Sequence, residues 1–193
     1  MKKWKYILLV VIVVAILYFL RGSEFTKNTS SYIYSLPFKK GTSHRVVQGY
    51  GGLFSHKHIA ALDFSMPEGT PVLAAREGTV YAYKDDSNEG GISSSYEKKA
   101  NYIIIQHSDG SYGCYWHLKH NGVVIKKGKV KEGQLIGYSG STGMVLQPHL
   151  HFSVKTRLNY AMNSFIQTKF NTADGVAILK AGNSYESVTT EVE

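Results

Sequence analysis

Tyr102-Ile103-Ile104-Ile105-Gln106-His107 and Tyr112-Gly113-Cys114-Tyr115-Trp116-His117-Leu118, joined through Ser108-Asp109-Gly110, decide the fold class. Two runs rich in β-branched and aromatic residues around a Gly-containing turn read as a β-hairpin. The pattern repeats on both sides. Upstream, Pro67-Glu68-Gly69 turns the chain into Pro71 to Ala75, and Thr79 to Tyr83 follows. Downstream come Val123-Val124, Gln134 to Tyr138 and His149 to Val154, with Phe165 to Phe170 placed to close the sheet. Asp85 to Ala100 is polar, holds Gly90-Gly91 and the serines 93–95, and reads as an exposed loop. No segment after residue 21 carries a long helical period. The expectation is an all-β fold: a compact β-sandwich of short antiparallel strands after one N-terminal membrane helix. Glu68-Gly69-Thr70-Pro71-Val72-Leu73 and Glu132-Gly133-Gln134-Leu135-Ile136-Gly137 each make a Gly-led turn into an apolar strand. That echo suits a folded-over sandwich of the barrel-sandwich (duplicated hybrid motif) type.

The N-terminus differs in kind. Lys2, Lys3 and Lys5 precede Tyr6 to Leu20, which carries no charge, and Arg21 closes the run. A cleaved signal peptide would end in small residues, whereas this run ends Tyr18-Phe19-Leu20-Arg21. An uncleaved signal anchor is therefore expected, with Trp4 and the lysines extending a run short of the roughly 20 residues of a spanning helix. The heavier basic flank places the N-terminus inside and the domain outside, in the periplasm or at the cell surface. The expected division is residues 1–21 as anchor, 22–31 as polar linker, 32–186 as the folded domain and 187–193 as a flexible tail.

Net charge is +8, and removing Lys2, Lys3, Lys5 and Arg21 leaves +4. That mild excess suits an anionic wall or membrane surface. No Lys/Arg cluster is interleaved with aromatics, so nucleic acid is not an expected partner. Cys114 is the single cysteine, so it forms no intrachain disulfide and no Cys-rich zinc site, and reads as a small buried hydrophobe. A monomer is expected.

The histidines carry the chemistry. In Pro148-His149-Leu150-His151-Phe152, alternation places both imidazoles on one face of a strand and Leu150 and Phe152 on the other. One ring can bind a metal while the other addresses a substrate, or both are merely exposed. Asp63 interrupts Ala60-Ala61-Leu62-Asp63-Phe64. A carboxylate there is costly to bury unless it is paired or ligates a metal, and its bland alternative is a turn residue. His56 and His58 lie just upstream. Imidazole and carboxylate are ordinary zinc ligands, and two histidines, one aspartate and a water make a tetrahedral site with one open position. His117, at the end of an aromatic strand, reads alone as a half-buried, hydrogen-bonded histidine, as do His44, His107 and His120. Gln48-Gly49-Tyr50-Gly51-Gly52 either lets a peptide backbone approach a metal or is a flexible loop.

These motifs together resemble lysostaphin-type (LytM-like) zinc metalloendopeptidases. The resemblance rests on His56 with Asp63, on Tyr115-Trp116-His117-Leu118 and on His149-Leu150-His151-Phe152. Met66 to Val72, Ala74 to Val80, Lys131 to Gly137 and Ser139-Gly140-Ser141-Thr142-Gly143 match too, so it covers about Gln48 to Val154. It implies one Zn2+ per chain on His56, Asp63 and His151, and His117 and His149 as catalytic histidines. His117 would mainly stabilise the oxyanion and His149 mainly act as general base. The implied activity is hydrolysis of peptide bonds in bacterial peptidoglycan, with a non-catalytic regulatory or peptidoglycan-binding module of the same fold as the alternative. The family's usual spacing puts three residues between the first His and the Asp. Here His58 has four and His56 six. Ser55-His56 and Ala61-Leu62-Asp63-Phe64 fit a branch with an insertion, which favours His56 and leaves His58 as the alternative ligand. A lipoyl-type carrier would need a modifiable lysine at a hairpin tip, and none is found.

Overall fold

The computed structural model describes residues 29–52, 55–158 and 164–192. The expected membrane helix and most of the expected linker lie outside these residues. Among the described residues no helix is long and apolar enough to cross a membrane.

The strands are β1 (Thr29–Ser35), β2 (Ser43–Gln48), β3 (Ala61–Ser65), β4 (Pro71–Leu73), β5 (Gly78–Lys84) and β6 (Gly90–Gly91). After a 3₁₀ turn at Ser94–Lys99 come β7 (Tyr102–Gln106), β8 (Tyr112–Trp116), β9 (Leu118–Val123), β10 (Lys129–Val130) and β11 (Leu135–Ser139). The chain continues through β12 (Gly143–Met144), β13 (His149–Lys155), β14 (Phe165–Thr172), β15 (Gly175–Ala177) and β16 (Ser184–Glu186). The main sheet runs β10-β5-β7-β8-β13-β3-β2-β16, and a smaller one runs β4-β11-β9. Pairing is antiparallel along both, as expected. The exceptions are β1 with β14 and β6 with β12, which pair in parallel.

Alternation divides the main sheet into two faces. Ile103, Ile105, Tyr115, Leu62, Phe64, Leu150, Phe152 and Val154 point inward and share one apolar cluster with Val72, Leu118, Val123 and Ile136 from the smaller sheet. Phe152 is packed by Tyr34, Tyr115 and Phe170. Truncating it to alanine would cost about 3–5 kcal/mol. The opposite face carries a row in register across five strands: Tyr102, Trp116, His151, Asp63 and Gln48.

Two boundaries differ from expectation. β1 begins at Thr29, three residues inside the expected linker. The flexible tail expected from residue 187 is docked through residue 192. Ser187 Oγ donates to Phe38 O at 2.7 Å, Thr189 Oγ1 donates to Leu36 O at 2.8 Å, and Val192 bridges Gln134. Polar composition suggested fraying, but these short hydroxyls satisfy carbonyls of a distant segment. The loop over residues 85–100 is also held: β6 pairs β12, and Gly143 N–H donates to Glu89 O at 2.9 Å.

Candidate metal centre

Asp63 sits mid-strand in β3, 5% exposed, between inward-facing Leu62 and Phe64. It is not a turn residue. Its β13 partner in register is His151, so the pleat sets both side chains on one face. His151 Nδ1 lies 2.9 Å from Asp63 Oδ1, His56 Nε2 lies 3.3 Å from the same oxygen, and the two nitrogens are 3.2 Å apart. His56 is fully buried and reaches the pair from the 49–60 segment. His58 is exposed and stays outside the cluster.

The hydrogen bonds settle which atoms face inward. His56 Nδ1–H donates to Gly49 O at 3.1 Å, so a neutral His56 turns a lone pair on Nε2 toward Asp63 and His151. With both imidazoles neutral, at most one proton serves three inward-facing acceptor atoms. A cation resolves that conflict. Zinc at about 2.0–2.2 Å from each donor in a tetrahedral shell would set them about 3.3–3.6 Å apart, and the observed edges come within a few tenths of an ångström of that. The residues fit the ion. Burial alone would raise the Asp63 pKa, but His151 and His56 outweigh it and hold the carboxyl well below its usual range. Burial lowers the His151 pKa, against the pull of Asp63.

His117 and His149 stand beside this cluster, their rings 4.7 Å apart, with His117 at 6.0 Å from the His151 ring. His149 Nε2 is 3.7 Å from Asp63 Oδ1, and its Nδ1–H donates to Gln147 O at 2.8 Å. The strand expected to run through Leu118 breaks at His117, whose φ is +66°, a region uncommon for a bulky residue. A local network holds it there. His117 Nδ1–H donates to Thr142 O at 2.7 Å, and Thr142 Oγ1 accepts from Asn101 N–H at 2.9 Å and donates to Leu118 O at 2.8 Å. Burial first, then His149 and His151, pull the His117 pKa down to about 3.

The other histidines stand outside the cluster, His44 and His107 hydrogen-bonded as expected and His120 more exposed than expected. His44 Nδ1–H donates to Ser65 O and His107 Nδ1–H to Glu77 O, away from the cluster, and His120 is exposed. Burial pushes the Cys114 thiol up to about 12, as suits a buried hydrophobe.

The model of peptidase family M23 matches residues 57–164. The chain belongs to that family. The matched range begins one residue after His56, at the point where the spacing to Asp63 is unusual. ShyA of Vibrio cholerae, a peptidoglycan DD-endopeptidase, is 40% identical over 96 residues, covering 49% of this chain and 20% of ShyA. The cell division protein DipM of Caulobacter vibrioides is 29% identical over 111 residues, covering 57% of this chain and 16% of DipM. The chain thus spans about a fifth of the length of these M23 relatives. The catalytic domain of lysostaphin from Staphylococcus simulans aligns with 64% of this chain and 86% of its own, at 30% identity and a TM-score of 0.44.

Two supports of this candidate site escaped the reading of the sequence. Gln48 bonds Asp63, and Thr142 holds His117. Thr142 lay inside the quoted Ser139-Gly143 segment. Gln48 headed the quoted Gln48–Gly52 stretch, in which only the glycines carried a reading. Within the Gln48–Gly52 loop, Gly49 O accepts from His56 and Tyr50 OH bonds Thr168.

Proposed function

We propose that this chain is a zinc-dependent endopeptidase that hydrolyses peptide bonds in bacterial peptidoglycan. The observation that carries the reading is the convergence of His56 Nε2, Asp63 Oδ1 and His151 Nδ1 within 3.3 Å of one another, with two further imidazoles alongside. In this reading His56, Asp63 and His151 hold the ion, and His117 and His149 do the proton chemistry. When bound, zinc polarises a scissile carbonyl and acidifies water.

His117 and His149 each donate Nδ1–H to a backbone carbonyl, so each neutral ring offers an Nε2 lone pair. Either can take a proton there. Burial keeps His117 neutral over the physiological range and makes its Nε2 lone pair less basic. We keep the division expected from the resemblance, with His149 mainly as general base and His117 mainly facing the developing oxyanion. Once protonated, the same Nε2–H becomes a donor toward a developing oxyanion. The 2.7 Å bond to Thr142 O fixes tautomer and ring plane, so neither step needs the ring to turn.

The peptidoglycan substrate is supported by the DD-endopeptidase relatives, and the outward orientation by the basic flank of residues 1–21. The test is digestion of purified peptidoglycan by the full chain, with and without a chelator, reading products by mass spectrometry. Chelator-sensitive release of peptide cross-links is expected. Release that persists after complete metal removal would refute the zinc mechanism. No release from several wall types would refute the hydrolase reading.

A further inference from the structure

We propose that Gln48 is a positioning residue that ties the loop carrying His56 to Asp63 and so presets the metal donor set. The proposal rests on the zinc-site reading above. Its starting point is an imbalance in how the three donors are held. Asp63 and His151 are locked by the strand register of β3 and β13. His56 is not, because the described residues between Gln48 and Ala61 form no strand. Freedom in that segment would have to be lost on binding an ion.

One amide closes the gap. Gln48 Nε2 donates to Asp63 Oδ2 at 2.8 Å and to Ser55 Oγ at 2.8 Å, while Gln48 Oε1 accepts Ser55 N–H at 3.1 Å. Both amide hydrogens and the amide oxygen are therefore used. The orientation is fixed, because a flipped amide would set its oxygen against the Asp63 carboxylate. Ser55 immediately precedes His56. The side chain thus bridges one donor directly and the backbone next to a second.

Gln48 reaches this face only through an irregularity. Val46 pairs with Phe64 and faces the core, and strict alternation would put Gln48 on the core face too. A bulge between Val46 and Gln48 instead brings Gln48 opposite Asp63, with Val47 40% exposed. Bulges re-aim side chains in this way. Gly52 completes the fit, since a Cβ there would come 2.7 Å from Gln48 Cγ and 3.0 Å from Gly49 O.

The test measures zinc affinity of the full chain by competition with a chelator of known affinity, for wild type, Gln48→Ala, Gln48→Glu, Ser55→Ala and Gly52→Ala. Gln48→Ala is expected to weaken zinc about 10- to 100-fold, the usual scale for an outer-shell partner. Gln48→Glu keeps the acceptor for Ser55 N–H but loses both N–H donors, and should weaken zinc at least as much. Gly52→Ala should weaken it by displacing Gln48 without removing a polar atom. Ser55→Ala, which keeps the Ser55 N–H bond, should do so least. Raising free zinc should restore peptidoglycan cleavage in Gln48→Ala, which a merely structural defect would not allow. Zinc affinity within twofold of wild type in both Gln48→Ala and Gly52→Ala would overturn the proposal. If Gln48→Ala does not fold, Gly52→Ala and Ser55→Ala decide alone. A wild type that binds no zinc would overturn both this proposal and the zinc-site reading, and so separates the two failures.

Discussion

Two polar clusters in this protein, one around buried Arg76 and one around buried Asp63, end in different states. Around Arg76, donors meet acceptors. The guanidinium donates to Asp109 Oδ2 at 2.8 Å and lies 4.0 Å over the Tyr32 ring, and Tyr32 OH donates to Glu132 at 2.7 Å. Ser111 supplies two more donors to Asp109. Around Asp63, acceptors meet acceptors: two imidazole nitrogens and a carboxylate oxygen converge, and the other polar atoms of His56 and Asp63 are already engaged by Gly49 and Gln48. The first cluster pairs its charges within the protein, although the buried Arg76 Nε has no hydrogen-bond partner. The second would be completed by a cation. Burying a polar group does not by itself mark a functional site; the mark is a set of groups that cannot satisfy one another.

The contrast is tested most severely by zinc itself. Zinc at about a thousand times its dissociation constant should stabilise the chain by about 4 kcal/mol in urea unfolding. Asp63→Asn should lose that gain. His151→Ala should lose the bound ion, and one zinc per chain in that variant by atomic spectroscopy would erase the distinction between the clusters.

A smaller effect is expected beside the donor set. His117→Ala should keep its zinc but cleave peptidoglycan at least about a hundredfold more slowly. Zinc lost along with activity would move His117 among the ligands.

Acid should sharpen the comparison in the metal-free chain. Below about pH 6.5 the unfolded chain protonates His117, whereas the folded ring stays neutral down to about 3. The unfolded state then holds more protons, so stability falls as pH drops through that window, by about 2 kcal/mol between pH 7 and 5. Burial shifts His44, His107 and His151 in the same direction. The depressed Asp63 has a linkage of the same sign, but its stabilisation is lost only below about pH 4, outside the interval. A urea midpoint that does not move between pH 7 and 5, or moves equally in His117→Ala, would contradict this account.

The smallest change belongs to the charge-paired cluster around Arg76. Arg76→Met should lower stability by about 1–2 kcal/mol, with zinc affinity unchanged. A weakened zinc site would mean that the two clusters are coupled through the sheet.

Much of this was legible in order along the chain. The hairpin around Ser108-Asp109-Gly110, the alternation in His149-Leu150-His151 and the misplaced carboxylate at Asp63 are local patterns, and local backbone geometry obeys them. Asp63 and His151 could be named because a strand's period of two assigns faces without knowledge of its neighbours. The tail beyond Ser187 could not be placed, since its hydroxyls bond residues 36 and 38, nearly the whole chain away.

The sequence alone settled the all-β class, the donor types and the face on which His149, His151 and Asp63 lie, because each follows from residue chemistry and a two-residue repeat. Tertiary structure decided that His56 rather than His58 joins them, that a bulge turns Gln48 from the core toward Asp63, and that His117 leaves its strand at positive φ. Those outcomes depend on loop closure, on the register of a partner strand and on Thr142 from another segment, none of which is written in the residues' own neighbourhood.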